Sequence, residues 1–101
     1  MIKVTEQQKK KILTILERYV PDAEVWAFGS RVDGNPKTYS DLDLLVVGKD
    51  KMSINSMGEL REAFQESDLP FRVDLVDWHR ISPEFRSLIE QKREIIKYGV
   101  S

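Results

Sequence analysis

The sequence contains no cysteine and only one histidine among its 101 residues. Without thiols the chain forms neither disulfide bonds nor thiolate metal sites, and this composition fits a reducing cytoplasm. A single imidazole, that of His79, leaves a histidine-dependent catalytic triad with one candidate and makes a zinc site a poor match. A lone histidine after a predicted strand usually has no catalytic part, so we expect none for His79.

Strong charge of one sign and long apolar runs are also missing. The net charge is −1, so no overall field favours a membrane surface, and we expect no direct nucleic-acid binding. No apolar run reaches the length of about 20 residues that spans a bilayer, and residues 1–11 lack the apolar core of a signal peptide. With 41% hydrophobic and 33% charged residues, the sequence predicts one small globular domain, residues 1–101.

Three segments have the periodicity and the capping residues of helices. Thr5 and Gln8 have the spacing of a capping box and precede an apolar stripe that stops before Pro21. Ser53 is the predicted cap of a second helix, and Ser82 that of a third. The helical side chains expected to face the core are Ile12, Leu13, Leu16, Tyr19, Val20, Ile54, Met57, Leu60, Ala63, Phe64, Phe85, Leu88 and Ile89.

Short runs of bulky apolar residues predict strands between these helices. The three strand segments are 24–28, 41–47 and 71–76. The second is apolar on both faces towards its end, which indicates a central place in the sheet. Residues 31–40 predict a loop with room for one helical turn. The tail, residues 94–98, fits either an extension of the third helix or a closing strand. The order is α-β-β-α-β-α, with an optional final strand.

Three aspartates occur where a sheet could hold them close together. Asp41 and Asp43 lie two residues apart on one strand and therefore point to the same face, where like charges raise each other's pKa unless a cation lies between them. Asp74 is in mid-strand between apolar residues, where carboxylates are rare unless paired or coordinating. If their strands are neighbours, the three acids converge and favour Mg²⁺ or Mn²⁺. Solvation of the first pair, or pairing of Asp74 with Arg72 or Arg86, is the alternative.

A glycine and a serine directly follow the first predicted strand. Gly29 lets the backbone approach a ligand closely, and the amides after it can point at anionic oxygens. Ser30 adds a hydroxyl to this possible phosphate site.

Two further features have plainer interpretations. Asp77 is a spare carboxylate at the end of a strand, where we expect it to be solvated. Trp26 and Trp78 are expected in the core rather than as stacking surfaces for a base.

The segments Gly29-Ser30-Arg31, Ser40-Asp41-Leu42-Asp43 and Val73-Asp74-Leu75 together resemble the signature of the minimal nucleotidyltransferases of the DNA polymerase beta superfamily. That signature is Gly-Ser, a spacer matched here by residues 31–40, then Asp-x-Asp and a third acid on a later strand. The resemblance covers nearly the whole chain. It implies one small α+β domain, a mixed sheet with helices packed on one side, and a final strand at 94–98.

The same resemblance implies a reaction and its residues. Such proteins transfer a nucleoside monophosphate, here AMP from ATP, to a hydroxyl and release pyrophosphate, with two Mg²⁺ or Mn²⁺ ions as cofactors. The residues assigned in this way are Asp41, Asp43 and Asp74 for catalysis and metal binding, and Gly29, Ser30 and Arg31 for nucleotide binding. Arg31, as a phosphate contact, has the equal alternative of a surface ion pair.

The family also implies a partner. Stand-alone members commonly occur beside a HEPN-domain toxin, as the antitoxin that modifies a tyrosine of the toxin with AMP. The competing interpretation is a binding module that neutralises its partner by contact, without turnover. A third is a purely structural calcium or magnesium site, which Gly29 and Ser30 argue against because such a cation needs no phosphate-binding loop.

Overall fold

The computed structural model describes residues 4–29, 32 and 41–99. In these ranges the elements are α1 (Glu6–Tyr19), β1 (Glu24–Phe28), β2 (Leu42–Val47), α2 (Ile54–Gln65), β3 (Val73–Asp77), a 3₁₀ turn (Trp78–Arg80), α3 (Pro83–Gln91) and β4 (Glu94–Lys97). The predicted order is confirmed, and the tail forms a strand. None of the helices in the described ranges has the length and apolar content needed to cross a bilayer.

Each helix begins at a capped residue, as the sequence predicts. The Thr5 hydroxyl accepts the Gln8 N–H at 3.1 Å, and the Gln8 side chain accepts the Thr5 N–H at 2.9 Å. Ser53 and Ser82 accept the equivalent bonds at 3.0 and 3.1 Å. These bonds satisfy amides that the first turn of a helix leaves without partners.

The four strands form one mixed sheet in the order β3-β2-β1-β4. β1 pairs antiparallel with β2 and β4, whereas β2 and β3 are parallel. A parallel pair needs a crossover connection, and α2 supplies it. β2 is an inner strand with Leu44 and Leu45 fully buried, which confirms its predicted central place. β3 begins and ends slightly later than the predicted 71–76.

Helices cover both faces of this sheet. Leu42 and Leu44 of β2 belong to a core cluster that also contains buried residues of α1 and α2. Leu45 points the opposite way and packs with Trp26 of β1 and Ile89 of α3. The expectation that the helices pack on one side therefore does not hold for α3, which lies on the second face.

Several apolar side chains that were expected in the core are exposed. The exposed fractions are 38% for Tyr19, 80% for Ile54, 38% for Phe85 and 64% for Leu88. Ile54 is the first residue of α2, and Tyr19 is the last of α1, so neither lies over the centre of the sheet. On α3 only Ile89 is buried. Periodicity identified the apolar face of α3, but not that the sheet covers only part of it.

A buried lysine fastens the closing strand. Lys97 is 6% exposed, and its Nζ donates to the carbonyl oxygens of Pro21 at 3.1 Å and Ala23 at 2.6 Å. The nearest carboxylate oxygen, from Glu17, is 4.0 Å away. The ammonium group thus joins β4 to the turn between α1 and β1, mainly through carbonyl groups.

Replacing this lysine should destabilise the domain. Lys97→Met keeps an unbranched apolar stem but leaves the Pro21 and Ala23 carbonyls without their donor, which we expect to cost about 1–3 kcal/mol. Urea unfolding measures the change, with Lys51→Met at an exposed loop position as the matched control. Equal stabilities of the two variants would contradict a structural role for Lys97.

Candidate functional site

Three strand ends meet at one edge of the sheet because of its mixed topology. β1 ends at Phe28, whose pairing partner on β2 is Asp43. β3 starts at the same edge as β2 because the two strands are parallel, and Asp43 is paired with Asp74. The two aspartates therefore stand side by side on neighbouring strands, about 5 Å apart at the backbone, with Gly29 directly beyond Phe28.

The carboxylates lie on the face of the sheet that α3 covers. Asp43 has the same orientation as Leu45, two residues later in β2, and Asp74 the same as Val76. Both apolar residues belong to the cluster around Ile89 of α3. The larger core, beneath α1 and α2, is on the other face, so this core and the candidate site lie on opposite faces of the sheet.

Asp43 experiences the strongest electrostatic perturbation at this edge. Burial raises the pKa of its carboxyl group, and the negative charges of Asp74 and Asp41 raise it further. Asp41 is exposed, immediately before β2. The predicted proximity of the three acids therefore has an electrostatic consequence: they repel one another around Asp43.

Gly29 has no room for a side chain. Its φ is +81°, in the left-handed region that favours glycine. A Cβ atom at this position would collide with Oδ2 of Asp43. The Gly29 carbonyl accepts the Val32 N–H at 3.0 Å. The backbone thus turns tightly against the carboxylate, whereas Ser30 and Arg31 lie outside the described residues.

Asp74 has a partner of its own. Its Oδ1 is 3.2 Å from Nε of Arg72, with the side chains 38% and 76% exposed, respectively. The sequence-based alternative of an arginine partner is therefore realised by Arg72, but on the surface. Arg86 is engaged elsewhere, because its Nε and Nη2 both donate to the Trp78 carbonyl.

The donor atoms of this edge suit a hard divalent cation. Within residues 4–29, 32 and 41–99, no three acidic, histidine or cysteine side chains form a group that could hold a metal ion. The carboxylates of Asp74 and Asp41 instead lie near Asp43, where burial and then these two negative charges raise the pKa of its carboxyl group. Mg²⁺ commonly takes one or two carboxylates, several waters and substrate phosphates. This oxygen-only, negatively charged edge fits such an ion better than zinc.

Asp77 and His79 have structural contacts. Asp77 is 2% exposed and accepts the N–H groups of Met52 at 2.8 Å and His79 at 3.0 Å. The expectation that Asp77 is solvated is therefore wrong: its carboxylate caps the 3₁₀ turn and anchors the chain before α2. Nε2 of His79 contacts the Gly48 carbonyl at 2.7 Å, and because a carbonyl only accepts, this nitrogen carries the proton.

An apolar groove beside Gly29 is absent from the sequence-based site. It has a volume of about 280 Å³ and runs between the end of β1 and α3. Phe28 and Phe85 form its aromatic part, with ring centroids 6.0 Å apart and planes at 85°. Leu88 is a further lining residue. The sequence signal was present in the apolar face of α3, which we had assigned to the core.

The close approach of Gly29 to Asp43 should make this glycine irreplaceable. Gly29→Ala places a side chain in a left-handed conformation, which costs about 1–2 kcal/mol, and also pushes the Asp43 carboxylate aside. Gly58→Ala is the matched control, since a Cβ there meets nothing within 4 Å and alanine stabilises a helix interior by up to about 1 kcal/mol. Urea unfolding should separate the two variants, and equal behaviour would contradict the tight turn.

Repulsion at Asp43 should appear as a pH-dependent stability. A carboxyl group whose pKa is higher in the folded than in the unfolded state destabilises the fold as pH rises from its unfolded value, about 3.9, through its folded value. Metal-free Asp43→Asn should therefore melt above wild type at neutral pH, and the difference should vanish below about pH 4. Calorimetric melting of both proteins between pH 3 and 8 tests this expectation, and a wild-type advantage at neutral pH would contradict it.

Known proteins share this architecture. In a crystal structure of a toxin–antitoxin with AMP-PNP, one chain superposes with a TM-score of 0.76 at 25% identity, over 89% of this chain and 73% of that one. In a structure of a tri-AMPylated Shewanella oneidensis HEPN toxin in complex with its MNT antitoxin, the TM-score is 0.71 at 24% identity, over 92% and 71% of the two chains. The second likeness concerns the fold alone.

Sequence similarity is stronger. The chain is 49% identical over 86 residues, 85% of this chain and 75% of the relative, to the probable protein adenylyltransferase MntA of Haemophilus influenzae. Residues 10–98 match the sequence family described as "Polymerase beta, Nucleotidyltransferase". That match includes Gly29 and all three aspartates of the site. The chain belongs to the polymerase beta nucleotidyltransferase family.

Proposed function

We propose that this protein is a protein adenylyltransferase that transfers AMP from ATP to a hydroxyl group of a HEPN-type toxin and so acts as its antitoxin. The support in sequence is the 49% identity to a probable protein adenylyltransferase. A toxin–antitoxin structure that holds an ATP analogue, at 25% identity, supports the choice of nucleotide. By the family resemblance, the acceptor hydroxyl is that of a tyrosine of the toxin.

One observation carries the proposal. Asp43 faces Asp74 across the parallel strand pair, and its carboxylate fills the space beside Gly29 where any side chain would lie. Negative charge is thus concentrated beside Gly29, whose backbone also lines an open groove. This arrangement costs the metal-free protein stability, and binding of a cation together with a triphosphate would offset that cost.

The residues would divide the binding of metal and triphosphate between them. Asp41 and Asp43, with Asp74, would hold the two Mg²⁺ or Mn²⁺ ions. When bound, such ions stabilise the charge on the attacking and leaving oxygens and lower the pKa of the acceptor hydroxyl. Gly29 and Ser30 would hold the β- and γ-phosphates, and Arg31 is placed by sequence to contact them.

Asp74 is suited to the acceptor side of the reaction. Its carboxylate is 38% exposed, so an acceptor hydroxyl from a partner protein can reach it and transfer its proton. In the reaction the hydroxyl oxygen forms a bond to the α-phosphorus, the bond from that phosphorus to pyrophosphate breaks, and pyrophosphate leaves. Asp43, which is paired with Asp74 on the neighbouring strand β2, takes no part in this proton transfer.

The groove between β1 and α3 is a suitable place for the nucleoside. It adjoins Gly29 and presents the rings of Phe28 and Phe85 together with Leu88. A base and a ribose gain from such apolar contacts, because most small-molecule sites are apolar with a few polar groups. This role would explain why Leu88 and Phe85 remain exposed on α3.

Transfer should depend on the aspartates. Asp41→Asn and Asp43→Asn keep the size of the side chain but remove a charge that binds a hard cation, so we expect transfer to fall by about a hundredfold or more. Asp22→Asn, at an exposed turn, is the control with the same change of charge. The assay is incubation with labelled ATP, Mg²⁺ and the co-purified toxin, followed by measurement of label on the toxin.

Two outcomes would overturn the assignment. Wild-type transfer in both Asp41→Asn and Asp43→Asn would rule out the proposed metal ligands. If no label reaches the toxin from the wild-type protein, and a variant that carries both Asp41→Asn and Asp43→Asn still protects growing cells against the toxin, neutralisation occurs by contact alone.

Ser30→Ala should mainly weaken the binding of ATP, which the same assay detects as a raised KM.

A further inference from the structure

The strand order gives the two substrates of the proposed reaction different sides of the site. Gly29 and the groove suited to the nucleoside adjoin β1, whereas Asp74 is on β3, on the opposite side of β2. β1 and β3 are about 10 Å apart, twice the spacing of neighbouring strands. In the described part of the chain no strand lies beyond β3, and the Asp74 side chain is 38% exposed. The outer edge of β3 is therefore the side left for the acceptor protein.

A cleft lies between α2 and the start of β3, on this acceptor side. It has a volume of about 310 Å³, at the lower end of the range of roughly 300–1,000 Å³ typical of ligand pockets. Its polar residues include Arg61 of α2, Arg72 and Asp74. Four apolar side chains complete the lining: Phe64, Leu69, Phe71 and Val73. Because Asp74 is shared with the site, a segment seated in the cleft is close to the reacting edge.

The cleft has an excess of positive charge. Nε of Arg72 lies 3.2 Å from Oδ1 of Asp74, which is the single acidic residue among the described residues that line the cleft. Arg61 is exposed and, among residues 4–29, 32 and 41–99, has no carboxylate at ion-pair distance. One guanidinium group is thus left for an anion from outside. Its planar fork matches the two oxygens of a carboxylate.

We propose that the cleft receives an acidic side chain that lies beside the acceptor hydroxyl in the partner protein, and that Arg61 selects acceptors by binding this carboxylate. The inference rests on the proposed function and assigns a specificity-determining residue to it. The apolar lining suits the methylene groups of a glutamate or of its neighbours. Contact with this lining also removes water from the ion pair, which strengthens it.

The charge of the site explains why such a residue would discriminate between acceptors. The three aspartates repel an acidic segment, so its approach to Asp74 is favourable only where a nearby cation offsets that repulsion. Arg61 supplies this cation, since Arg72 is already paired with Asp74. ATP does not provide the anion, because its phosphates are assigned to the Gly29 side of β2. An acceptor without a neighbouring acid gains nothing from Arg61.

Peptide binding tests the cleft without any turnover. Two seven-residue peptides carry a central tyrosine with glutamate on each side in one and glutamine on each side in the other, and both are titrated calorimetrically into the full chain. Wild-type protein should bind the glutamate peptide roughly tenfold more tightly, and Arg61→Gln should reduce this preference to near unity, as expected for loss of a charge-assisted hydrogen bond. Arg18→Gln, at an exposed position of α1 outside the cleft, makes the same change of charge and should keep the preference.

Transfer from labelled ATP to the same peptides gives a second readout. Arg61→Gln should raise KM for the glutamate peptide roughly tenfold and leave kcat unchanged, the pattern of a lost binding contact. Equal binding of the two peptides by wild-type protein, an unchanged preference in Arg61→Gln, or an equal loss in Arg18→Gln would overturn the proposal. If wild-type protein transfers no AMP to the peptides or to the toxin, the proposed function fails, but the titration still decides whether the cleft selects an acidic ligand.

Discussion

The parallel pairing of β2 with β3 is the constraint on which the site depends. Parallel strands start at the same edge of a sheet, and the register places Asp43 opposite Asp74. β1 runs the other way, so its end brings Gly29 to that edge. A shift of one residue in either pairing would turn an aspartate towards the core beneath α1 and α2. The buried apolar residues of β2, Leu42, Leu44, Leu45 and Val46, pack on both faces of the sheet and hold this register, so apolar packing fixes the position of the charges.

The two faces of this sheet have different roles. The larger core, with Ile12, Leu16 and Leu60 fully buried, stabilises the domain on the face of α1 and α2. The other face has a smaller cluster around Trp26 and Ile89. Because α3 covers it only in part, a groove remains beside Gly29. Partial coverage of this face by α3 lowers the stability of the domain, but it leaves space next to the carboxylates.

Much of the architecture was accessible from the sequence because local chemistry determines it. Thr5, Ser53 and Ser82 set the helix starts through side-chain bonds to nearby amides, which a sequence shows directly. The final strand came from the family resemblance rather than from periodicity, and the order of the strands in the sheet was not predicted. Gly29 and the aspartates were identified by their spacing, but their contact is a property of the assembled sheet.

The errors share a physical cause. Periodicity shows which face of a helix is apolar, not whether another element covers it, so Phe85 and Leu88 were assigned to the core. Asp77 was expected in water because it ends a strand, yet the segment before α2 folds over it and donates an amide. Both depend on contacts between residues far apart in sequence.

The two outer strands of the sheet, β3 and β4, carry charges whose effect extends beyond the site. An unpaired strand edge is a template on which other chains can pair and aggregate, and short strands and inward-pointing charges protect against this. β4 has four residues and turns Lys97 inward, while β3 carries Asp74 and the buried Asp77. The carboxylate proposed to serve the reaction thus also places a charge on the edge strand, where it disfavours the pairing of a further strand.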